Sequence, residues 1–136
     1  MPTASPRALD HPAREEIRLE AVLHALSDPM RIQVVRFLAG MGEGEQAACS
    51  AIELAVSKST TTHHFRVLRE AGVISQVYQG TAKMNALRRR DLDALFPGLL
   101  DTVLGADVAQ RQRLHRTGSP RAAPRLPVVR RGTQPQ

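Results

Sequence analysis

Ser57 to Ile74 reads SKSTTTHHFRVLREAGVI, and its spacing decides what the rest of the chain can be. Ser57 suits a helix N-cap, because its hydroxyl can accept an orphan backbone N–H one turn in. From Lys58 to Ala71 the apolar positions are Thr61 (through its methyl), Phe65, Leu68 and Ala71, a three-to-four spacing that defines one buried face. Gly72 is placed to end the helix in a left-handed C-terminal turn. At about 100° per residue, Ser59, Thr62, His63 and Arg66 fall on the side away from the apolar stripe. His64 sits at the stripe's edge and reads as a packed histidine. The stretch is a helix with an apolar inside and a polar, partly cationic outside.

The flanking segments give that helix a setting. Downstream, VISQVY and AKMNAL surround Gln79, Gly80 and Thr81, two short alternating segments about a glycine-containing turn, which predicts a β-hairpin. Upstream, Asp28 followed by Pro29 is a helix start, since Asp caps and Pro costs nothing at the first helical position. The helix it opens, MRIQVVRFLA, is expected to bury Ile32, Val35, Leu38 and Ala39 and to stop at Gly40. After the loop GMGEG a third helix is predicted over Ala47 to Ala55, with Ile52 and Leu54 inward and a break at Val56. The first helix is predicted to start near Pro12 and to carry Ile17, Ala21, Leu23, His24 and Leu26 toward a partner surface. Asp91 is read as the cap of DLDALF, with Pro97 interrupting it or starting a new helix. Leu99, Leu100, Val103, Leu104 and Val108 then continue an apolar stripe toward His115. The fold class is mainly α with a small β-hairpin (α+β), a winged helix-turn-helix. In that arrangement one helix fits a major groove and the hairpin lies along the neighbouring backbone.

Composition agrees with one domain plus tails. The 136 residues are 42% hydrophobic but only 3% aromatic, with no Trp, so the core must rest on Leu, Ile, Val and Ala. Cys49 is the only cysteine, which excludes an intramolecular disulfide. Five of the six net positive charges lie in residues 116–136, a stretch without an acid, so bulk charge says little about what the folded part binds. That Pro- and Arg-rich segment is expected to be a disordered basic tail, residues 1–11 a disordered N-terminal tail, and residues 12–115 the domain with terminal dimerisation helices. No apolar run approaches the roughly 20 residues that span a bilayer, and no secretory signal opens the chain. A cytoplasmic protein with no membrane partner is expected.

LSDPMRIQVVRFLAG, SKSTTTHHFRVLREAGVI and YQGTAKMNAL together resemble the ArsR/SmtB family of dimeric bacterial repressors. The resemblance runs ungapped from about Ala25 to Leu87. It matches an L-x-D-P-x-R opening to the second helix, an S-x-S-T-x-S-H-H-L-x-x-L-x-x-A-G-L-V recognition segment and a glycine-tipped wing. What it implies is a homodimer on an inverted-repeat operator of double-stranded DNA. Lys58, Ser59, Thr60, Thr62, His63 and Arg66 would be its groove-facing set, with Lys83 on the wing. Short hydroxyls can bond a phosphate or a base edge, and an arginine can bind guanine bidentately. A plainer role for Ser59 and Thr60 is helix capping alone. The wing departs from the family pattern: Gln76, Tyr78, Gln79 and Thr81 accompany one Lys83, so fewer counterions would be released there. Arg88, Arg89 and Arg90 either compensate or form a solvated lead-in to the next helix.

The first and last helices are expected to pair two copies through Ile17, Ala21, Leu99 and Val103. Both metal patterns of the resembled family, a Cys-x-Cys pair and an Asp-x-His with a His-x-x-(Glu or His), are missing here. His11, His24, Cys49 and His115, with acids such as Glu15 and Glu16, are left as weak candidates for a nickel or zinc site across a dimer. His63 and His64 diverge by about 100° on a helix and cannot chelate one ion together. Catalysis would have to pair Cys49 with His63 or His64, and no orienting acid or cofactor motif supports it, so the chain reads as not an enzyme. The alternative to a metal-responsive regulator is a winged helix controlled by a partner protein, or one serving only to bind protein.

Overall fold

Asp28 and Ser57 start the two helices on which the domain is built. A computed structural model of the chain describes residues 7 to 117. Residues 1–6, and 118–136 with most of the expected basic tail, lie outside the described residues; Arg116 and Thr117 close the last helix rather than opening that tail. The chain divides into two compact units, one ending at Asp101 and one beginning at Thr102.

In the first unit, the Asp28 carboxylate accepts the backbone N–H of Met30 at 2.7 Å and of Arg31 at 3.3 Å, opening α2 (Pro29–Ala39). Its buried face is Arg31, Val34, Val35 and Leu38. The expected stripe is therefore rotated: Val34 is inside while Ile32 is only half-buried, and a charged residue joins the core. The first helix also differs from expectation. A 3-10 turn, Arg14–Glu16, leads to an extended Ile17, and only then does α1 (Leu19–Ala25) begin. The cause is the pull of Ile17 into the core, where it is 8% exposed. A Cβ on Gly72 would lie 2.5 Å from Ile17 Cγ1, so this glycine both takes φ +87° and makes room for the isoleucine. Ile17, expected at a subunit surface, belongs to the chain's own core.

The third helix is absent. Its place is taken by β2 (Ala47–Ala48), a 3-10 turn Cys49–Ala51 and an irregular segment to Val56, with Ile52 buried as expected. Ala47 and Ala48 pair with Asn85 and Met84, and the Asn85 side chain donates to Ala47 O at 3.1 Å. Backbone groups engaged in that ladder cannot also close helical turns.

Ser57 caps α3 (Lys58–Glu70), and Val73 leads into β3 (Ile74–Gln79), which turns at Gly80 and Thr81 into β4 (Ala82–Leu87). Gly80 has φ +66°, the backbone that a two-residue hairpin turn needs. The sheet has four antiparallel strands in the order β1-β3-β4-β2, because β1 (Arg7–Ala8) adds to the free edge of β3 opposite Tyr78 and Val77. Leu9 N–H then donates to Gln76 O, and His11 Nε2 accepts the Gln76 N–H at 2.9 Å. Residues 7–11 were expected to be loose; an unpaired strand edge offers them a row of hydrogen-bond partners instead.

After the hairpin, α4 (Arg89–Leu95) starts two residues before Asp91, which lies in its first turn rather than at its cap. The Asp91 carboxylate is held by Arg88 and Arg14, each at 2.8 Å, which keeps its pKa below the usual range although burial works the other way. Gly98, with φ +82°, follows Pro97 and precedes α5 (Leu99–Thr117). The second unit is described through the body of α5, where Arg111 pairs with Asp107 one turn back.

Candidate nucleic-acid interface

The two sides of α3 have opposite chemistry. Phe65 and Leu68 are fully buried and His64 nearly so, while Lys58, Ser59, Thr60, Thr62, His63 and Arg66 are all exposed. The six residues assigned to a groove thus share the solvent side of one helix. Two of them are also engaged in the cap: Ser57 Oγ accepts the Thr60 N–H at 3.2 Å, donates to Thr60 Oγ1 at 2.9 Å and lies 3.3 Å from Ser59 Oγ. Capping and outward display coexist there. One turn on, the Arg66 guanidinium meets His63 Nδ1 at 3.2 Å, so these two outward side chains brace each other.

The wing carries little charge. Lys83 and Tyr78 are cross-strand partners, and the Lys83 ammonium sits 5.6 Å from the tyrosine ring centroid, a cation–π contact. Arg88 is held by Asp91 and donates to Pro12 O at 2.8 Å, Arg89 pairs with Asp101 at 3.0 Å, and Arg90 pairs with Glu43 at 3.1 Å. Each of the three arginines after the hairpin already has a carboxylate.

Inside the wing lies a polar core that spacing did not bring out. Gln76 and Asn85 are both 0% exposed. Gln76 Nε2 donates to Asn85 Oδ1 at 2.7 Å, Asn85 Nδ2 reaches Cys49 Sγ at 3.2 Å, and Arg69 Nη1 donates to Gln76 Oε1 at 2.8 Å. This network ties the end of α3 to both long strands and to the turn at Cys49. A period of two from Ile74 already puts Gln76 on the inward face, which is the signal that would have found it. Arg31 was missed too, although it stands three and four residues before Val34 and Val35 on the buried side of α2.

The candidate metal ligands are not assembled. His11 is occupied by the Gln76 amide, His24 is exposed on α1, Cys49 is half-buried in the wing network, and His115 is exposed on α5. Among the described residues, no three His, Cys, Asp or Glu side chains stand where they could share an ion. The rings of His63 and His64 are 5.9 Å apart at their centroids and tilted by 49°, and each turns its Nδ1 to a different arginine. Burial, with Arg31 and His63 nearby, lowers the pKa of His64 below 6.5, against the opposing pull of Asp28. Burial likewise lowers that of His11.

A capped helix with a polar outer face, set beside a glycine-turned hairpin and preceded by a short helical turn, is a winged helix-turn-helix module. Residues 26–77 match the family model described as a helix-turn-helix domain. The chain is also 30% identical over 91 residues to the "Uncharacterized HTH-type transcriptional regulator YceK" of Bacillus subtilis (strain 168), covering 65% of this chain and 88% of that protein. The chain belongs to the helix-turn-helix transcriptional regulators, and its α3 segment and wing resemble those of the ArsR type. A crystal structure of an ArsR family transcriptional regulator is similar as well, at a TM-score of 0.48 and 22% identity over 74% of this chain and 93% of that one. No helix among the described residues is long and apolar enough to cross a membrane.

Proposed function

We propose that this regulator binds double-stranded DNA sequence-specifically as a homodimer, with α3 of each copy in the major groove of one half of an inverted repeat. The observation that carries this reading is the division of α3: Phe65 and Leu68 lock it to the domain while Lys58, Ser59, Thr60, Thr62, His63 and Arg66 are turned outward together. Arg66 is the residue best suited to a base edge, because a guanidinium can bind guanine O6 and N7 at once. Lys83 and the hairpin lie against the flanking backbone and add little, since one ammonium replaces few counterions.

Self-association is supported by α1, where Leu19 and Leu23 are 44% and 46% exposed one turn apart, and by exposed Val108 and Leu114 on α5. Ala21, Leu99 and Val103 are half-buried and remain assigned to the subunit surface, whereas Ile17 is withdrawn. The role is binding rather than catalysis: Cys49 accepts an amide N–H and both histidines of α3 face arginines, so each is spent on a structural hydrogen bond. Control by nickel or zinc would require ligands from a second copy, and control by a partner protein is the alternative.

Selection of bound duplexes from a random pool by the full chain tests the proposal. Enrichment of an inverted repeat whose half-sites lie about one helical turn apart, roughly 10–10.5 base pairs centre to centre, is expected. Retention of all duplexes alike, or of none, would contradict it.

A further inference from the structure

Arg31 is 7% exposed, an uncommon place for a guanidinium, and from α2 it touches two other elements at once. It extends from the first turn of α2. Its Nε donates to Ala25 O at 2.7 Å and its Nη2 to His24 O at 3.2 Å, which satisfies two carbonyls at the C-terminal end of α1. Its Nη1 meets Nδ1 of His64, on the inner side of α3, at 3.2 Å. One planar fork therefore joins the end of α1 to the recognition helix.

The chemistry of that contact fixes the state of the histidine. A guanidinium has donors only, so His64 Nδ1 must present a lone pair and the ring proton must be on Nε2. The Nε2 side faces Asp28 Oδ1 at 3.9 Å, and that oxygen already accepts the Met30 and Arg31 amides. The charged or titratable groups about the ring are Arg31 and Asp28 from α2 and His63 from α3 itself. The buried residues of α1, Val22 and Ala25, and of β3, Ile74 and Gln76, do not titrate.

We propose that Arg31 and His64 are a positioning pair for DNA binding: neutral His64, accepting at Nδ1 from Arg31, holds α3 in register with the end of α1, and a proton at Nδ1 breaks that hold. The inference rests on α3 being the DNA-reading helix. Protonation turns an acceptor into a donor aimed at a cation, so the ring and the guanidinium must separate. The sign follows from the lowered pKa: above about pH 6.5 the pair is intact, and it is lost as pH falls from there through the lower value His64 has in the fold.

His64→Asn keeps the contact and removes the proton. The asparagine amide oxygen stands near the place of Nδ1, can accept from Arg31 and does not titrate. Wild type is expected to lose duplex affinity by about five-fold or more relative to His64→Asn as pH is lowered from neutral to where NMR shows the wild-type imidazole protonated, since the two proteins differ only in that ring. Nitrogen-15 NMR of the wild-type imidazole, without DNA, should show the Nε2–H tautomer at neutral pH, with α3 amides shifting as the ring protonates. An Nδ1–H tautomer, or a wild-type to His64→Asn affinity ratio that does not change with pH, overturns the proposal. If neither protein holds DNA at neutral pH, the DNA reading of α3 fails, and with it the positioning role, while the tautomer still reports whether the contact forms.

Discussion

The recognition helix and the wing use polar residues in opposite ways. On α3 the inside is Phe65 and Leu68 and the outside is hydroxyls, an imidazole and a guanidinium. In the wing the amides of Gln76 and Asn85 are inside, and the outside is left with Lys83 lying on Tyr78. A helix held by apolar packing leaves its polar groups available for a ligand. A hairpin whose core is a hydrogen-bond network commits them to its own register, because each buried amide left unpaired costs about 1–3 kcal/mol.

Four substitutions should break or sharpen that contrast. Phe65→Ala removes the largest buried side chain of α3 and should cost about 3–5 kcal/mol in chemical denaturation, unfolding the outer face with the inner one. A loss under about 1 kcal/mol would mean the helix is anchored by something other than its apolar side. Asn85→Ala should cost about 1–3 kcal/mol of stability, because Ala47 O and the Gln76 amide lose a partner, while duplex affinity of the folded protein is preserved. Arg66→Ala should do the reverse, lowering affinity by about 1–3 kcal/mol with a melting temperature that barely moves. Equal affinity for selected and scrambled duplexes, before and after the change, would remove Arg66 from base reading. Lys83→Ala should be the mildest, shifting affinity by less than about 0.5 kcal/mol and the salt slope by less than the unit that one full phosphate contact contributes.

What could be read from the amino-acid sequence follows the same division. The cap at Ser57, the stripe of Phe65, Leu68 and Ala71 and the stop at Gly72 are local, so spacing alone found α3 and the outward Ser59, Thr62, His63 and Arg66, while Lys58 and Thr60 joined them through the family resemblance. The hairpin was equally local, with its turn at Gly80 and Thr81. The larger misses were set by distant partners. Ala47–Ala55 has the composition of a helix, but Asn85 and Met84, far along the chain, draw Ala47 and Ala48 into a sheet. Ile17 was assigned to a subunit surface because nothing near it in sequence reveals that Gly72 leaves it a seat. The pairing of residues 7–8 with β3 and the bond from Arg31 to His64 likewise join segments tens of residues apart. Loop-closing contacts of this kind leave no periodic trace.

Amide chemical-shift mapping of the full chain with a duplex enriched from the random pool tests the central claim most directly. Shifts concentrated on Lys58 to Arg66, weaker ones at the Gly80 turn, and little change in α2 are the predicted result. Shifts centred on α2 or the outer surface of α1, with α3 silent, would contradict the assignment of α3 as the helix that reads DNA.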